Sequence, residues 1–373
     1  MKLKVFKPIA IAGAATLLLM TAACSTGGSD APTPAPTNTE SKAEQLKDVP
    51  RYNLDEFFKE KNPAQKGKTF GMMVIDMSTD PFAEQVELAR TYAEHLGWEF
   101  KVADLKGQVG QAGPTLKTMV EAGADVILTG SMGPDLIGRD ALATAKEAGV
   151  FVISETSGVN ASGSKGAFAS SVESNLLEQG RLVGERLIKE VPAGSKIGLL
   201  FDQQAASGRL LEQGFRKAIG DKFDIVAQKQ FDYAKGVPGG AADANAMMQA
   251  HPDIAAFWCP YDGPCSGVGN AVLATGKKVK VFSKGGYPAF LDYIRKGVSG
   301  YTLAEPNTIK VLMGFDQAVK LTRGANLEKT DIILDLGGMI TASNIGSAAE
   351  VADGTVSYGP GLDKRFYERW GVK

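Results

Sequence analysis

Few groups in this chain could do covalent or metal chemistry. Its 373 residues include two histidines, His95 and His251, and three cysteines, Cys24, Cys259 and Cys265. Three thiols cannot complete a four-cysteine zinc site, and two imidazoles leave little for one built from histidine. No metal and no cofactor is expected. The sequence contains no Gly-x-Ser-x-Gly elbow, no His-Glu-x-x-His helix and no Gly-x-x-x-x-Gly-Lys-[Ser/Thr] phosphate loop. Gly267-Val-Gly269 lacks the third glycine of a dinucleotide fingerprint. His95 falls inside a helical pattern and His251 precedes Pro252, so both read as surface or boundary residues. No catalytic residue is expected, and the chain is not expected to be an enzyme. Lys and Arg number 41 against 42 Asp and Glu, a net charge of −1. That balance argues against a nucleic-acid partner, which needs a basic excess to displace counterions.

The cysteines point instead to export. Lys2, Lys4 and Lys7 precede an almost unbroken apolar run over residues 9–20. The run is too short for a spanning helix, which needs about 20 residues, but suits a signal-peptide core. Thr21-Ala22-Ala23-Cys24 follows and resembles a bacterial lipobox, with Thr21 where Leu is usual. The expectation is a signal peptide over 1–23 and lipidation of Cys24. The protein would then be anchored to the outer face of the cytoplasmic membrane, or be periplasmic, without spanning the bilayer; simple secretion with a spare thiol is the alternative. Cys259 and Cys265 flank Pro-Tyr-Asp-Gly-Pro. Export meets oxidising conditions, so this pair is expected to form a disulfide, two buried thiols being the alternative.

The elements that must carry any site follow from periodicity. Residues 25–39 are rich in Gly, Pro, Ser and Thr and cannot bury a core, so they read as a tether. Tyr52, Leu54, Phe57 and Phe58 fit one short docked helix. Residues 70–75 are a near-continuous apolar run, as a buried parallel strand shows. Asp80-Pro81 opens a helix with Val86, Ala89, Ala93 and Leu96 on one face. A helix end, a glycine and a buried strand occur twice, at 121–128 and 147–154. This repetition marks a parallel α/β sheet. The pattern restarts with strands at 196–201, 224–230, 254–259 and 279–283, a helix at 209–219, another at 307–323, and a late strand at 331–336.

Residues 69 to about 340 resemble the sugar-type periplasmic binding proteins, the ribose/galactose-binding group. The match lies in Asp80-Pro81-Phe82, Arg209 with Gly214-Phe215, His251-Pro-Asp-Ile-Ala-Ala-Phe257, and Tyr261-Asp262 before a Gly/Ala-rich helix, in that order. The resemblance implies an α/β fold of type I, two lobes each with a parallel sheet flanked by helices, joined by three crossings. The first lobe is placed at 67–173 plus 305–332 and the second at 174–304 plus 333–345. Residues 24–66 form the tether and N-terminal extension, and 346–373 a C-terminal extension.

The resemblance also implies a ligand cleft at the carboxyl ends of the strands. Asp80 matches a position that contacts ligand hydroxyls, or simply caps its helix. Phe82 matches a ring-stacking aromatic, with core packing as the alternative. Glu155 stands at an acidic ligand position, and Thr156 replaces the arginine that usually follows. Arg209 matches a ligand-binding arginine, Phe231 and Tyr233 flank an aromatic position, Tyr261-Asp262 replaces Asn-Asp, and Glu305 sits where glutamine is common. The main departure is Gly285, which falls at a ligand-binding aspartate; Lys284 or Tyr287 is the candidate replacement. A Gly-Gly loop is also a tight turn. The implied function is capture of a sugar or polyol for an ABC importer whose permease subunits dock the lobes, by a monomer. A receptor, or a binder of a nucleoside or signalling furanone, is the alternative.

Overall fold

The structure is a computed structural model that describes residues 54–157, 166–305, 307–327, 330–334, 338–347 and 361–372. The signal sequence, the tether and Cys24 lie outside the described residues. Two six-stranded sheets organise the rest. The first joins β1 (Thr69–Val74), β2 (Glu99–Asp104), β3 (Val126–Gly130), β4 (Phe151–Glu155), β5 (Ser170–Ser174) and, from far down the chain, β11 (Asp331–Leu334). The second joins β6 (Lys196–Phe201), β7 (Asp224–Gln230), β8 (Ile254–Trp258), β9 (Lys280–Gly285), β10 (Tyr301–Ala304) and β12 (Gly338–Ile340).

The strand orders repeat. The first sheet runs β11-β5-β4-β3-β1-β2 and the second β12-β10-β9-β8-β6-β7. Every pairing is parallel except β10 with β12. Helices cover both faces of the central strands: β1 from Phe70 onward, β3 and β5 are fully buried, the first two as apolar runs and β5 as Ser-Ser-Val-Glu-Ser. The edges β2 and β7 contain no buried residue and carry charged side chains. In the helix Asp80–Leu96, Val86, Ala89, Ala93 and Leu96 all face the first core. Phe70 stacks on Phe315 at 4.0 Å in that core. Phe215 stacks on Trp258 at 4.4 Å in the second.

Two boundaries differ from the sequence expectation. Ile333 and Leu334 still pair with Glu173 and Ser174, so these two residues belong to the first sheet and not to the second lobe. The ladder decides this, since pairing satisfies backbone groups that a crossing would expose. The described parts of the two extensions are also core rather than appendage. Leu54 and the helix Leu362–Trp370 bury Leu362, Phe366 and Trp370 in the first core, with Phe57 and Phe58 against Phe366.

They enclose the helix Asn307–Thr322, which is buried all round from Asn307 to Val319. Such a helix must satisfy any charge it carries. Its Asp316 does so through the chain ends. Arg369 Nε donates to Asp316 Oδ1 at 2.8 Å, Trp370 Nε1 at 3.0 Å and Asn62 Nδ2 at 2.8 Å. The backbone N–H groups of Asn62 and Ala64 donate to the carbonyls of Arg369 and Trp370, so the two ends are stitched together.

Candidate functional site

The carboxyl ends of the strands in both sheets converge on a cavity of about 100 Å³ between the lobes. From the first lobe come Ile75, Asp76 and Thr79 after β1, Pro81, Phe82 and Gln85 in the helix that follows, Ser131 after β3 and Thr156 after β4. From the second come Ser207, Phe231, Tyr233, Val237, Tyr261 and Pro264, then Lys284 and Gly285 at the end of β9, and Tyr287. Glu305, at the crossing, and Lys310 complete the floor. The wall is mostly apolar, with a few polar groups placed on it, as small-molecule sites are.

The backbone is strained around this cavity. Among the described residues, non-glycine residues with positive φ are Lys106 at 51°, Ser131 at 58° and Thr156 at 50°. Ser131 and Thr156 line the wall, and Lys106 adjoins Gly107, which touches the other lobe. Each such residue costs of order 1–3 kcal/mol and persists where its surroundings hold it.

The floor is a chain of buried charges. Lys310 Nζ lies 2.6 Å from Glu155 Oε1 and 3.4 Å from Glu305 Oε1. Lys284 closes an ion pair on Glu305 Oε2, and the Ser174 hydroxyl donates to Glu305 Oε1. Lys310 also donates to the Thr156 hydroxyl at 3.3 Å, which in turn donates to Glu155. Burial alone would raise the Glu305 pKa; the ammonium groups of Lys284 and Lys310 outweigh it and hold Glu305 well below the carboxylate range. Burial likewise opposes the charge of Lys310, and the carboxylates of Glu155 and Glu305 outweigh it, raising its pKa.

A second network stands behind the second-lobe aromatics. Tyr233 and Tyr261 donate to the buried Asp202 at 2.6 and 3.3 Å, and Tyr261 shares a hydrogen with Ser207 at 3.0 Å. Burial, together with the Asp202 charge, pushes both phenols well above their ordinary pKa. They stay neutral and fixed. Phe231 meets Tyr233 edge-on at 5.2 Å.

Eight of the twelve expected ligand residues line the cavity: Phe82, Thr156, Phe231, Tyr233, Tyr261, Lys284, Tyr287 and Glu305. The side chain of Asp80 lies outside the described residues. The remaining three have other neighbours. Glu155 is buried beside the floor, held by Lys310 and Thr156, while its Oε2 has no hydrogen-bond partner. Arg209 pairs with Asp135 of the opposite lobe. Asp262 neither lines the wall nor caps its own helix, whose N-cap is Tyr261. Its carboxylate accepts from Gly286 N at 2.7 Å, Tyr287 N at 3.1 Å, Ser283 Oγ at 2.7 Å and Thr302 Oγ1 at 3.1 Å.

Asp262 therefore builds the Gly285-Gly286-Tyr287 loop. Gly285 has φ +145°, and a Cβ there would lie 2.5 Å from the Tyr287 ring and 2.8 Å from Asp262 Oδ2. Glycine at this position is what lets Tyr287 lie over the backbone. Cys259 and Cys265, at the root of the neighbouring helix, have their sulfurs 2.09 Å apart.

Sequence reasoning missed Asp76, Gln85, Ser131, Ser207 and Lys310 on the wall and Asp202 behind it. Lys310 left one sign: a lysine between Ile309 and Val311 in an otherwise apolar stretch. Among the described residues no three His, Cys, Asp or Glu side chains group as metal ligands. No described helix is long and apolar enough to cross a membrane.

Residues 70–325 match the family model described as periplasmic binding protein domain. The chain belongs to the periplasmic binding protein family. Family and fold are those of solute-binding proteins. Within that family the chain is similar to the ribose import binding protein of Bacillus subtilis, 21% identical over 267 residues, covering 71% of this chain and 85% of that one. A crystal structure of a galactofuranose binding protein aligns with TM-score 0.64 and 18% identity, covering 78% of this chain and 99% of its own. A solute binding protein of Mycobacterium smegmatis with bound glycerol aligns with TM-score 0.66 and 20% identity, covering 75% and 96%. At these identities the structural likeness speaks for the two-lobed fold.

Proposed function

We propose that this chain is an exported lipoprotein, anchored through Cys24, that captures a small polyhydroxylated solute, a sugar or polyol, between its lobes. It delivers the solute to the permease subunits of an ABC importer, each docking one lobe, and works as a monomer without chemistry on its ligand. The observation that carries this reading is Gln85. Its amide nitrogen is committed, Nε2 donating to Asn307 Oδ1 at 3.0 Å, while its Oε1 is buried on the cavity wall without a partner. A buried acceptor of this kind needs a donor, and a ligand hydroxyl supplies one. Glu155 Oε2 makes the same demand beside the floor. Lys284 offers donors to hydroxyl oxygens, and Phe82 and Phe231 offer faces to the C–H side of a sugar ring. The relatives named for ribose, galactofuranose and glycerol are consistent with this chemistry.

A thermal-shift screen of D-ribose, D-allose, D-arabinose, glycerol, nucleosides and amino acids tests the reading. A ligand that binds only the folded state stabilises it by about 2.7 kcal/mol at a hundred times its Kd. A sugar or polyol should raise Tm; a response confined to nucleosides or amino acids overturns the proposal. The anchor is tested separately. Cys24→Ala should release the protein from the membrane fraction with its melting unchanged, and retention through an alkaline carbonate wash counts against lipidation.

A further inference from the structure

Arg209 is the ligand arginine by resemblance, yet its guanidinium reaches the other lobe. Its Nη2 donates to Asp135 Oδ2 at 2.9 Å, and its Nη1 to the carbonyls of Gln203 and Gln204 at 2.7 and 3.2 Å. Asp135 lies in the short helix Pro134–Ile137 of the first lobe, and Arg209 in the helix Ala206–Ile219 of the second. Neither lines the cavity. Their side chains are 25% and 38% exposed, so the pair sits at the mouth of the cleft rather than on its wall. A second touch between the lobes lies beside it. At Gly107, with φ +76°, a Cβ would fall 2.8 Å from the Tyr233 carbonyl and 3.1 Å from the Ala234 Cα. The lobes therefore meet here backbone to backbone, and Asp135–Arg209 is the charged contact of that seam.

We propose that Asp135 and Arg209 form a latch that stabilises the closed arrangement of the lobes without contacting the ligand. They are positioning residues. Carboxylate and guanidinium face each other only when the lobes are together, so the pair adds to the closed state and nothing to the open one. Apparent affinity scales with the population of the binding-competent state, so the latch raises affinity for any ligand the cleft accepts. The Gln203 and Gln204 carbonyls pre-orient the guanidinium from its own lobe and lower the entropic cost of pairing. A half-exposed pair is worth little in absolute terms, and salt screens it. The expected effect of breaking it is a roughly two- to fivefold loss of affinity, expressed as faster dissociation. It also gives an uncharged ligand a salt-dependent affinity, which contacts inside the cleft would not.

The inference rests on the sugar-capture reading only for its affinity arm. Spin labels at Lys117 and Lys229, exposed residues of opposite lobes, read the interlobe distance with no ligand present. The affinity arm uses whichever of D-ribose, D-allose, D-arabinose and glycerol gives the largest thermal shift. Asp135→Asn is the informative variant, because it leaves Arg209 bonded to its own lobe. We expect Asp135→Asn and Arg209→Gln to shift the ligand-free distances toward separation and to weaken binding by about the same two- to fivefold. High salt should do both to the wild type and neither to the variants. Asp135→Lys with Arg209→Glu should restore both. Tenfold or greater loss in Arg209→Gln with none in Asp135→Asn would make Arg209 a ligand contact and overturn the latch. Unchanged distances in both single variants would overturn it as well. If none of the four probes binds, the capture reading fails while the distances still decide the latch.

Discussion

Lys310 and Glu155 are brought within 2.6 Å of each other, fully buried, from positions far apart in the chain. The contact joins a helix of the first lobe to the end of β4, and Glu305 at the crossing shares the same ammonium. Two cations, Lys284 and Lys310, thus balance two carboxylates in the floor. Removing one member leaves a buried charge without compensation.

Lys310→Met should destabilise the ligand-free protein by about 3–5 kcal/mol, read as a lower midpoint in urea. Adding Glu155→Gln should recover part of that loss. The pH dependence has a definite sign. Glu305 has its pKa lowered in the fold, so its contribution is present above the unfolded value near 4.5 and is lost as pH falls below the carboxylate range. Lys310 has its pKa raised, so its contribution is present below 10.5 and is lost as pH rises through the folded value. A Lys310→Met protein as stable as the wild type would refute this account of the floor.

Asp262 behaves in the opposite sense. Burial raises its pKa from 3.8 to about 6, against the hydrogen bonds from Ser283, Tyr287, Thr302 and Gly286 that pull it down. The folded state therefore holds this proton more tightly than the unfolded chain. Its contribution is fully present below pH 3.8 and is lost as pH rises through 6, a swing of about 3 kcal/mol at 1.4 kcal/mol per pH unit. Urea midpoints of wild type and Asp262→Asn, compared between pH 4 and 7, isolate it: only the wild type should carry this component. Parallel curves would contradict the assignment.

Gln85→Leu tests the wall. It removes the unpartnered acceptor and keeps the volume, while freeing Asn307 Oδ1 from its donor. Sugar affinity should fall about five- to thirtyfold, the value of one hydrogen bond lost from a buried site. Titration calorimetry reads this directly, and unaltered affinity would exclude Gln85 from the site.

Much of the architecture was legible because parallel strands advertise themselves. The strands at 196–201 and 224–230 stand as read: the first is an apolar run that two covered faces tolerate, the second a partly exposed edge. The candidate site came from the family resemblance, and eight of the twelve residues it implied lie on the cavity wall. What was not legible shares a cause. Asp262, Lys310 and Arg209 are charged groups whose meaning lies in partners distant in sequence. Asp262 holds a loop some two dozen residues on, and Arg209 meets a residue of the other lobe. Local pattern cannot distinguish a carboxylate that holds a ligand from one that holds a loop. The helix Leu362–Trp370 read as an appendage because its buried face completes a core begun by β1, hundreds of residues earlier.

The clasp around Asp316 gives the two lobes unequal mechanical standing. Asn62, Arg369 and Trp370 all grip the first lobe, and the helix they grip also carries Lys310 at the cleft. A pull on the segment leading into residue 54 is therefore borne by one lobe alone and runs close to the cavity floor. That lobe is the braced one, while the aromatic wall of Phe231, Tyr233 and Tyr261 belongs to the other.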